Sequence, residues 1–555
     1  MIKAKIESLL KRVARKKLVD IEVFPPDNEK FGHYSTNAAL KLARVLKKNP
    51  LVVAEEIVKK INLIPHYSLL ISRVEIAPPG FINFWLREGV IAAELKQVLK
   101  TKNKYGQSQI GKGKTVIIDY SAPNIAKPMH VGHLRSAIIG QTLYNLFRFL
   151  GYKVIGDDHL GDWGTQFGAL IVAYKKWFNK KEFNKNPIEH LVKLYVKFHK
   201  ESEKHDWLLP LAREETKKLQ EGDGENRKIW RLFTKESLKE FHKIYKRLGI
   251  KHDITLGESF YQPMLNQIIK EALRKKIAKK DEGAVKIFFD NHLPPMVIQK
   301  SDESYLYTTT DLATIKYRAR KWRPLKILYV VSNEQTHHFE QIFEANKLLK
   351  YIKPKTLEHV KFGMILGETG KKTSTRRGQF IKLENLLDEA RKKAAGINRK
   401  VAEEVGIGAV EYRVLSHSRQ SDIVFNWKEM LNLQGNSGPY LQYTYARLRS
   451  VLRKAQGLPK KPDFLLLETE SEKAVMRQLV YFPDALERAA SLYETNILTD
   501  YLFKLSNELN RFYEKEPILK APKPLRENRL NLILVATIIL KNGLNLLGIK
   551  APERM

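Results

Sequence analysis

The chain has 555 residues and is strongly basic, with 98 Lys and Arg against 61 Asp and Glu and a formal net charge of +37. Because this length exceeds what one hydrophobic core supports, about two to four domains are expected. The charge favours a polyanionic partner, most commonly nucleic acid. The absence of cysteine excludes disulfide bonds and Cys-ligated zinc.

The first segment, residues 1–108, alternates helical patterns with short strands, which predicts an α+β domain. Its start is basic and amphipathic, as in a transit peptide, but Glu7 and the lack of serine enrichment favour an ordinary first helix. Strands are predicted at Arg73–Ala77 and Phe81–Trp85, where apolar and β-branched side chains are frequent.

Next comes an apolar run, Val116–Ile118, followed by Asp119, a Pro-bounded loop and a helical pattern that opens with His130, Gly132 and His133. This order predicts a strand, a loop and a helix amino terminus. Helix amino termini attract phosphate through their free N–H groups and dipole. Two imidazoles add hydrogen-bond donors, and the glycine lets a flat base or ribose approach the backbone. The pattern therefore predicts ATP as the ligand, with attack on its α-phosphate.

Two other interpretations of this segment stay open on the residues alone. Two histidines three apart on a helix can bind a metal, although no obvious third ligand accompanies them. Both histidines can also be purely structural. The segment resembles the HIGH signature of class I aminoacyl-tRNA synthetases. The strings Ser121–His133 and His159–Gly168, in this order and spacing, resemble the arginyl-tRNA synthetases in particular.

Residues 109–385 contain strands that alternate with helices, which is typical of a parallel α/β sheet. Within them, about residues 180–300 are highly charged and mostly helical, which suggests an insertion. The rest is helical, as a connector over 386–436 and an all-helical domain over 437–555. The family resemblance implies a Rossmann-type catalytic core between an N-terminal domain that binds the tRNA elbow and an all-α anticodon-binding domain.

The second half of the α/β segment carries a candidate polar pocket. Tyr305–Tyr307 is strand-like, Thr308–Ala313 has the pattern of a capped helix start, and Ile327–Val331 predicts a buried strand that ends before Gln335. Ligands of open α/β sheets bind beyond the carboxyl ends of the strands, where Asp119 and Gln335 lie.

Two carboxylates, an aromatic ring and an amide suit a guanidinium group. Taken singly, Asp311 can be only a helix cap and Tyr307 only a core residue. The family resemblance implies instead an arginine pocket that is built from Asp119, Asn124, Tyr307, Asp311 and Gln335.

A basic, Gly-bounded loop over 370–378 can fold over a triphosphate and neutralise the departing pyrophosphate. It resembles the KMSKS loop, with Lys371, Lys372, Ser374 and Arg376 as functional residues. Thr375 stands where that motif has its second lysine. The resemblance implies that Lys127 supplies the missing charge.

Cations interleaved with aromatics after residue 437 suit phosphates and unstacked bases, although a solvated helix face stays an alternative. The candidate tRNA contacts in this helix are Tyr443, Arg447 and Arg449. In the N-terminal segment, Phe81 and Asn83 match family positions that touch a D-loop base.

The resemblance implies ATP-dependent activation of L-arginine and its transfer to tRNA-Arg, with Mg²⁺ accompanying ATP and with tRNA bound before activation. We expect a cytoplasmic monomer without a protein metal site. No membrane partner is expected, because the longest apolar run, Leu532–Leu540, is too short to span a bilayer and predicts a buried helix. A catalytically inactive tRNA-binding relative is the alternative function. A cysteinyl synthetase is excluded, since its zinc site needs cysteine ligands.

Overall fold

The computed structural model of the protein describes residues 2–14, 21–26, 28–65, 67–290, 292–367, 382–455, 457 and 462–555. The chain forms two compact units. One combines residues 1–108 with 432–555, and the other contains residues 109–431.

The N-terminal segment is an α+β structure around a four-stranded antiparallel sheet, with the strand order β1-β2-β4-β3. The first helix is confirmed, because Ile2, Ile6, Leu9 and Val13 recur at helical spacing and are buried. The elements of this segment are α1 (Ile2–Ala14), β1 (Val23–Phe24), β2 (Tyr34–Thr36), α2 (Ala38–Leu46), α3 (Pro50–Asn62), β3 (Ile71–Ala77), β4 (Phe81–Leu86) and α4 (Glu88–Thr101).

The second unit is an α/β structure, as predicted. Its elements are β5 (Thr115–Asp119), α5 (Val131–Phe149), β6 (Lys153–Asp158), α6 (Gln166–Trp177), α7 (Lys180–Lys185), α8 (Pro187–Ser202), α9 (Leu208–Glu221), α10 (Gly224–Arg247), β7 (Ile254–Thr255), α11 (Glu258–Arg274), β8 (Ala278–Asp281), β9 (Ala284–Ile287), β10 (Met296–Gln299), α12 (Tyr307–Trp322), β11 (Lys326–Tyr329), α13 (Thr336–Leu349), β12 (Leu357–His359), β13 (Ile365–Leu366), α14 (Leu383–Ala394), α15 (Ala402–Leu415), β14 (Ile423–Val424) and α16 (Trp427–Met430).

The core of this unit is a five-stranded sheet in which all neighbours run parallel, with the order β12-β11-β5-β6-β7. The chain proceeds from β5 to β6 and β7 on one side, and later adds β11 and β12 on the other. The strand order therefore reverses at β5, where ligands of open α/β sheets bind. Register pairs Asp119 with Tyr329 on one side and with Asp157 on the other, so these side chains form one row.

The charged segment over 180–300 contains more strand than its pattern predicts. Helices α7 to α10 come first, β7 then joins the parallel sheet, and β8 to β10 form a separate three-stranded antiparallel sheet. The strand predicted at Tyr305–Tyr307 is wrong. Tyr305 makes only an isolated bridge to Gln299, and helix α12 already begins at Tyr307.

The C-terminal segment is all-helical, as predicted, with α17 (Gly438–Lys454), α18 (Glu470–Val480), α19 (Phe482–Leu492), α20 (Asn496–Lys515) and α21 (Lys523–Leu547). By length and composition α21 could cross a membrane, since an 18-residue window has a mean hydropathy of 1.7. However, 78% of that window is buried inside the protein, so α21 is the apolar core helix of this bundle.

The C-terminal helices pack directly on the N-terminal segment. The Tyr34 hydroxyl donates to Asp484 Oδ2 at 2.6 Å, and the Tyr481 hydroxyl donates to the His33 carbonyl oxygen at 2.9 Å. The Asn542 side-chain amide donates to the Lys102 carbonyl oxygen at 3.1 Å. These contacts join residues more than 400 positions apart into one unit.

Candidate active site

The loop between β5 and α5 has a strained backbone that several elements hold in place. Ser121, Ala122 and Ala126 have φ values of 76°, 46° and 60°, a region that side chains other than glycine rarely adopt. Their N–H groups donate to Ser136 Oγ, Asp158 Oδ1 and Ser237 Oγ at 2.9, 3.2 and 2.8 Å. Strand β6 and helices α5 and α10 therefore fix the loop before any ligand binds.

The two histidines cap the amino terminus of α5. His130 is the N-cap, and its Nδ1 accepts the Gly132 N–H at 3.0 Å. His133 Nδ1 accepts the His130 N–H at 3.2 Å, and the ring centroids lie 4.0 Å apart. Since each Nδ1 is an acceptor, the proton of each neutral imidazole lies on Nε2, where it can be donated to an anion.

Burial keeps both imidazoles neutral. It lowers the pKa of His133 to about 3, with a further contribution from His130. Burial also lowers the pKa of His130, together with the charge of Lys127. Near neutral pH the pair therefore offers Nε2–H donors and no positive charge.

Glycine at position 132 has a local structural reason that the sequence did not suggest. A Cβ atom there would lie 2.7 Å from His130 Cε1 and 2.8 Å from Nδ1. The glycine therefore makes room for the capping imidazole of His130, and the approach of a base or ribose to this position stays a prediction.

The predicted KMSKS-like residues Lys371, Lys372, Ser374 and Arg376 lie outside the described residues. The chain that follows them is attached to the histidine site, because the Leu383 N–H donates to the Met129 carbonyl oxygen at 3.0 Å and Lys382 forms a bridge with His130.

Lys127 is exposed in the loop between β5 and α5, three residues before His130. Its ammonium group lies 5.5 Å from the ring centroid of Tyr195 on α8, within the range of a cation–π contact.

Tyr307 and Asp311 of the expected arginine pocket lie one turn apart at the start of α12. Both meet His338 of α13, whose Nε2 lies 2.7 Å from Asp311 Oδ2 and whose ring centroid lies 4.9 Å from that of Tyr307. Asp311 is therefore not a helix cap, and the helix has no side-chain cap at Leu306. Sequence reasoning missed His338, which follows Gln335 by three positions.

Asn124 and Gln335 are exposed in the segments that follow β5 and β11. Asn124 forms a bridge with Gly161, where an added Cβ would lie 2.0 Å from its Oδ1. In the described part of the chain, no hydrogen bond joins either side chain to Asp311.

Asp119 is not the open carboxylate that the sequence suggested. It is 5% exposed, and its Oδ2 accepts a 2.6 Å hydrogen bond from Arg318 Nη2, which also donates to Asp157 Oδ2 at 2.7 Å. The pairing with Arg318 was not predicted, because nothing in the sequence pattern links positions 199 apart.

A further carboxyl group, which sequence reasoning missed, interacts electrostatically with Asp311. Glu258 is the first residue of α11, and its side chain makes no hydrogen bond within the described ranges. Burial, and then the neighbouring Asp311 and Asp162, raise the pKa of Glu258 to about 8. Asp162, from the string His159–Gly168, accepts the Ser259 N–H at 2.8 Å and so fixes the start of α11. Two adjacent carboxyl groups suit a guanidinium ligand.

The predicted tRNA-contacting residues differ in exposure. Phe81 is half-buried, but Asn83 is only 3% exposed, so its amide does not lie on the surface as expected. The Arg447 guanidinium lies 4.8 Å from the ring of Tyr443. The Arg449 Nε donates to Glu553 Oε2 at 2.6 Å, so this charge is already paired.

Comparison with known families accounts for nearly the whole chain. The sequence profile for "tRNA synthetases class I (R), catalytic domain" matches residues 94–427. The profiles for the arginyl-tRNA synthetase N-terminal domain and the DALR anticodon-binding domain match residues 1–86 and 441–555.

Similar proteins and structures agree with these profiles. The arginine–tRNA ligase of Fusobacterium nucleatum is 42% identical over 97% of this chain and 96% of its own length. That of Clostridioides difficile is 40% identical over 100% and 98%. The structure of arginyl-tRNA synthetase from Plasmodium falciparum superposes with a TM-score of 0.82 at 28% identity, covering 100% of this chain and 99% of that one.

The fold is also that of Thermus thermophilus arginyl-tRNA synthetase, with a TM-score of 0.85 at 24% identity and full coverage of both chains. Nothing in these comparisons favours the catalytically inactive alternative. With catalytic, N-terminal and anticodon-binding profiles matched in order, the chain belongs to the class I arginyl-tRNA synthetase family.

Proposed function

We propose that this arginine–tRNA ligase activates L-arginine at the loop between β5 and α5. The observation that carries the proposal is the pair of neutral imidazoles at the amino terminus of α5, with two Nε2–H donors beside the point where the strand order reverses. An arginine carboxylate oxygen attacks the α-phosphorus of ATP, and the bond to pyrophosphate breaks. The terminal ribose hydroxyl of tRNA-Arg then attacks the carbonyl carbon of arginyl-adenylate, and AMP leaves.

Because no covalent enzyme intermediate is needed, the protein contributes positioning and charge stabilisation. His130 and His133 bind the α-phosphate oxygens through Nε2–H, with Gly132 allowing their arrangement. Lys127 and the loop that contains Lys371, Lys372, Ser374 and Arg376 stabilise the departing pyrophosphate.

Arginine-dependent exchange of pyrophosphate into ATP tests the activity, with and without tRNA. Because tRNA is proposed to bind before activation, we expect exchange only in its presence. A folded protein that binds tRNA but shows no exchange in either condition would favour an inactive relative.

In the amino-acid pocket, Asp311 and Glu258 face the substrate guanidinium, and Tyr307 stacks on it. Asp119, Asn124 and Gln335, at the ends of β5 and β11, hold the backbone end of the amino acid. The support is the electrostatic interaction of Glu258 with Asp311, together with the absence of a hydrogen bond to the Glu258 side chain within the described part of the chain.

The raised pKa of Glu258, about 8, predicts that arginine binding depends on pH. Near neutral pH its carboxyl group is mostly protonated, whereas a bound guanidinium favours the ionised form. The kcat/KM for arginine should therefore rise as pH increases towards about 8 and level off above it, by at most about tenfold per pH unit. Measurement of kcat/KM between pH 6 and 9 checks this.

Glu258→Gln is the matched variant, since it keeps the shape and removes the titration. We expect a lower but flatter profile for this variant. If kcat/KM for arginine still rises with pH in Glu258→Gln as it does in the original protein, the titrating group is another one. Asp158 is a candidate, since burial also raises its pKa to about 8.

Magnesium is proposed to enter with ATP and to neutralise phosphate charge. Among the described residues, no group of three or more His, Asp or Glu side chains could hold a metal ion. The phosphates of ATP are therefore the proposed ligands. The protein is further proposed to act as a monomer in the cytoplasm.

We propose that tRNA contacts Arg447, Tyr443 and Phe81. The Arg447 guanidinium lies 4.8 Å from the ring of Tyr443 and 5.2 Å from that of Tyr513, which fixes a cation beside two aromatic faces. Such an arrangement suits a phosphate or an unstacked base.

Arg447→Gln should weaken tRNA binding by about tenfold and reduce the salt dependence of the dissociation constant by about one ion. Arg449→Gln is the matched control in the same helix. Its effect should be smaller, because Glu553 already pairs with Arg449. Filter binding of tRNA at several salt concentrations measures both. Equal effects of the two substitutions would contradict the assignment.

A further inference from the structure

A single buried arginine spans the row of side chains at the carboxyl ends of the central strands. Tyr329, Asp119 and Asp157 lie side by side on β11, β5 and β6. Arg318 of α12 donates through Nη2 to both carboxylates, at 2.6 and 2.7 Å, and its Cζ lies 5.5 Å from the Tyr329 ring centroid. The side chain is completely buried.

The buried guanidinium explains how two acidic side chains can lie next to each other inside the protein. Asp119 and Asp157 are neighbours in register, and two buried carboxylates at this spacing do not both stay ionised without a cation. Burial raises the pKa of Asp157, against the attraction of Arg318. One guanidinium with two carboxylates leaves a single net negative charge.

Arg318 also lies on the helix that carries the proposed arginine pocket. It follows Asp311 by seven residues, which places both on one face of α12, about 10 Å apart along the axis. Arg318 Nε and Nη1 have no hydrogen-bond partner among the described residues, so both of its hydrogen bonds to the carboxylates come from Nη2. Asp119 Oδ2 is occupied by this bond, and only its other oxygen remains for a ligand.

We propose that Arg318 is a positioning residue for the amino-acid substrate. It fixes the Asp119 carboxylate and offsets the charge of Asp157, so that Asp119 presents one defined oxygen to a cationic group of the bound amino acid. The inference rests on the proposed placement of Asp119 in the arginine pocket.

The first test is Arg318→Gln, measured by arginine-dependent pyrophosphate exchange with tRNA present. Without the guanidinium, the two carboxyl groups share a proton, which weakens cation binding at neutral pH and less so at higher pH. We expect the KM for arginine to rise about tenfold or more at pH 7, with the KM for ATP within about threefold, and to recover as pH increases.

Other titratable groups surround the triad of Arg318, Asp119 and Asp157, and their own titrations have to be separated from that of the carboxyl pair. They are Asp158, His159, His252, Tyr261, Tyr329 and Asp311. All are retained in Arg318→Gln, so a new pH-dependent limb in this variant belongs to the carboxyl pair.

The double variant Arg318→Gln with Asp157→Asn separates positioning from folding. It removes the Asp157 carboxylate together with the Arg318 cation, so the single net negative charge of the cluster is restored. We expect a lower KM for arginine than in Arg318→Gln and loss of the new pH dependence. A KM that stays high with the same pH profile would overturn the inference.

Two further variants keep the test decisive. If Arg318→Gln does not fold, Asp157→Asn alone decides. It leaves Arg318 with a single carboxylate, so the KM for arginine should rise about threefold with the KM for ATP unchanged. An unchanged KM for arginine overturns the inference. Asp119→Asn tests the pocket itself. If it leaves the KM for arginine unchanged, the placement of Asp119 fails; if it raises this KM while folded Arg318→Gln does not, only the positioning role fails.

Discussion

Asp311→Asn is expected to lower kcat/KM for arginine by about 100-fold or more, because a charge-assisted contact in a partly buried pocket becomes a neutral one. The asparagine keeps the size of the side chain and can still accept a hydrogen bond from His338, which lies 2.7 Å from Asp311 Oδ2. Pyrophosphate exchange at varied arginine and saturating ATP measures the effect. The KM for ATP should stay within about threefold of the original value.

Asp388→Asn is the matched control in the same unit. Asp388 is exposed and pairs with Arg247 at 2.8 Å, so its substitution removes a surface charge without touching the pocket. An unchanged KM and kcat/KM for arginine in Asp311→Asn would show that Asp311 does not bind the guanidinium.

His133→Asn is expected to reduce the rate of adenylate formation by about 100-fold or more, the effect of losing one donor to a developing charge. The change separates two functions of the imidazole. An asparagine Oδ1 can still accept the His130 N–H, now bonded to His133 Nδ1 at 3.2 Å, and so preserve the cap of α5. The Nε2–H donor is lost.

Thermal unfolding and single-turnover adenylate formation together check this prediction. His133→Ala removes both the cap and the donor, so it should be slow and less stable by about 1 kcal/mol. If His133→Asn forms adenylate at the original rate, the imidazole serves only as a cap. Since burial holds the pKa of His133 near 3, its contribution should not vary between pH 6 and 9.

The parts of the site that are local in sequence could be predicted. The strand, loop and helix start around His130 follow from an apolar run, a proline-bounded loop and a helical pattern within a short stretch, and the structure has β5 and α5 in these places. The strand predicted at Tyr305–Tyr307 was wrong because aromatic alternation over three residues fits the first turn of a helix equally well.

The contacts that depend on tertiary packing could not be predicted. Arg318 reads as one of many cations on a helix, and only the register of β5 with β6 brings Asp119 and Asp157 beneath it. Glu258 begins a helix, where an acidic residue is common. The amino-acid sequence therefore gives no sign that Glu258 interacts with Asp311. Asn83 lies among apolar residues in β4, and its polar side chain suggests an exposed position, but it is 3% exposed in the folded domain because packing over the sheet face, which the pattern does not show, decides burial.

The packing of the C-terminal helices on the N-terminal segment has a consequence for synthesis of the protein. The Tyr34 hydroxyl finds its acceptor, Asp484, 450 positions later in the chain. While the ribosome translates the intervening residues, Tyr34 and the face of α4 that packs against α18 and α21 lack their partner helices, and pairings of such long range form slowly. The nascent protein is therefore expected to expose this face until translation is nearly complete, which makes it a candidate surface for chaperone binding.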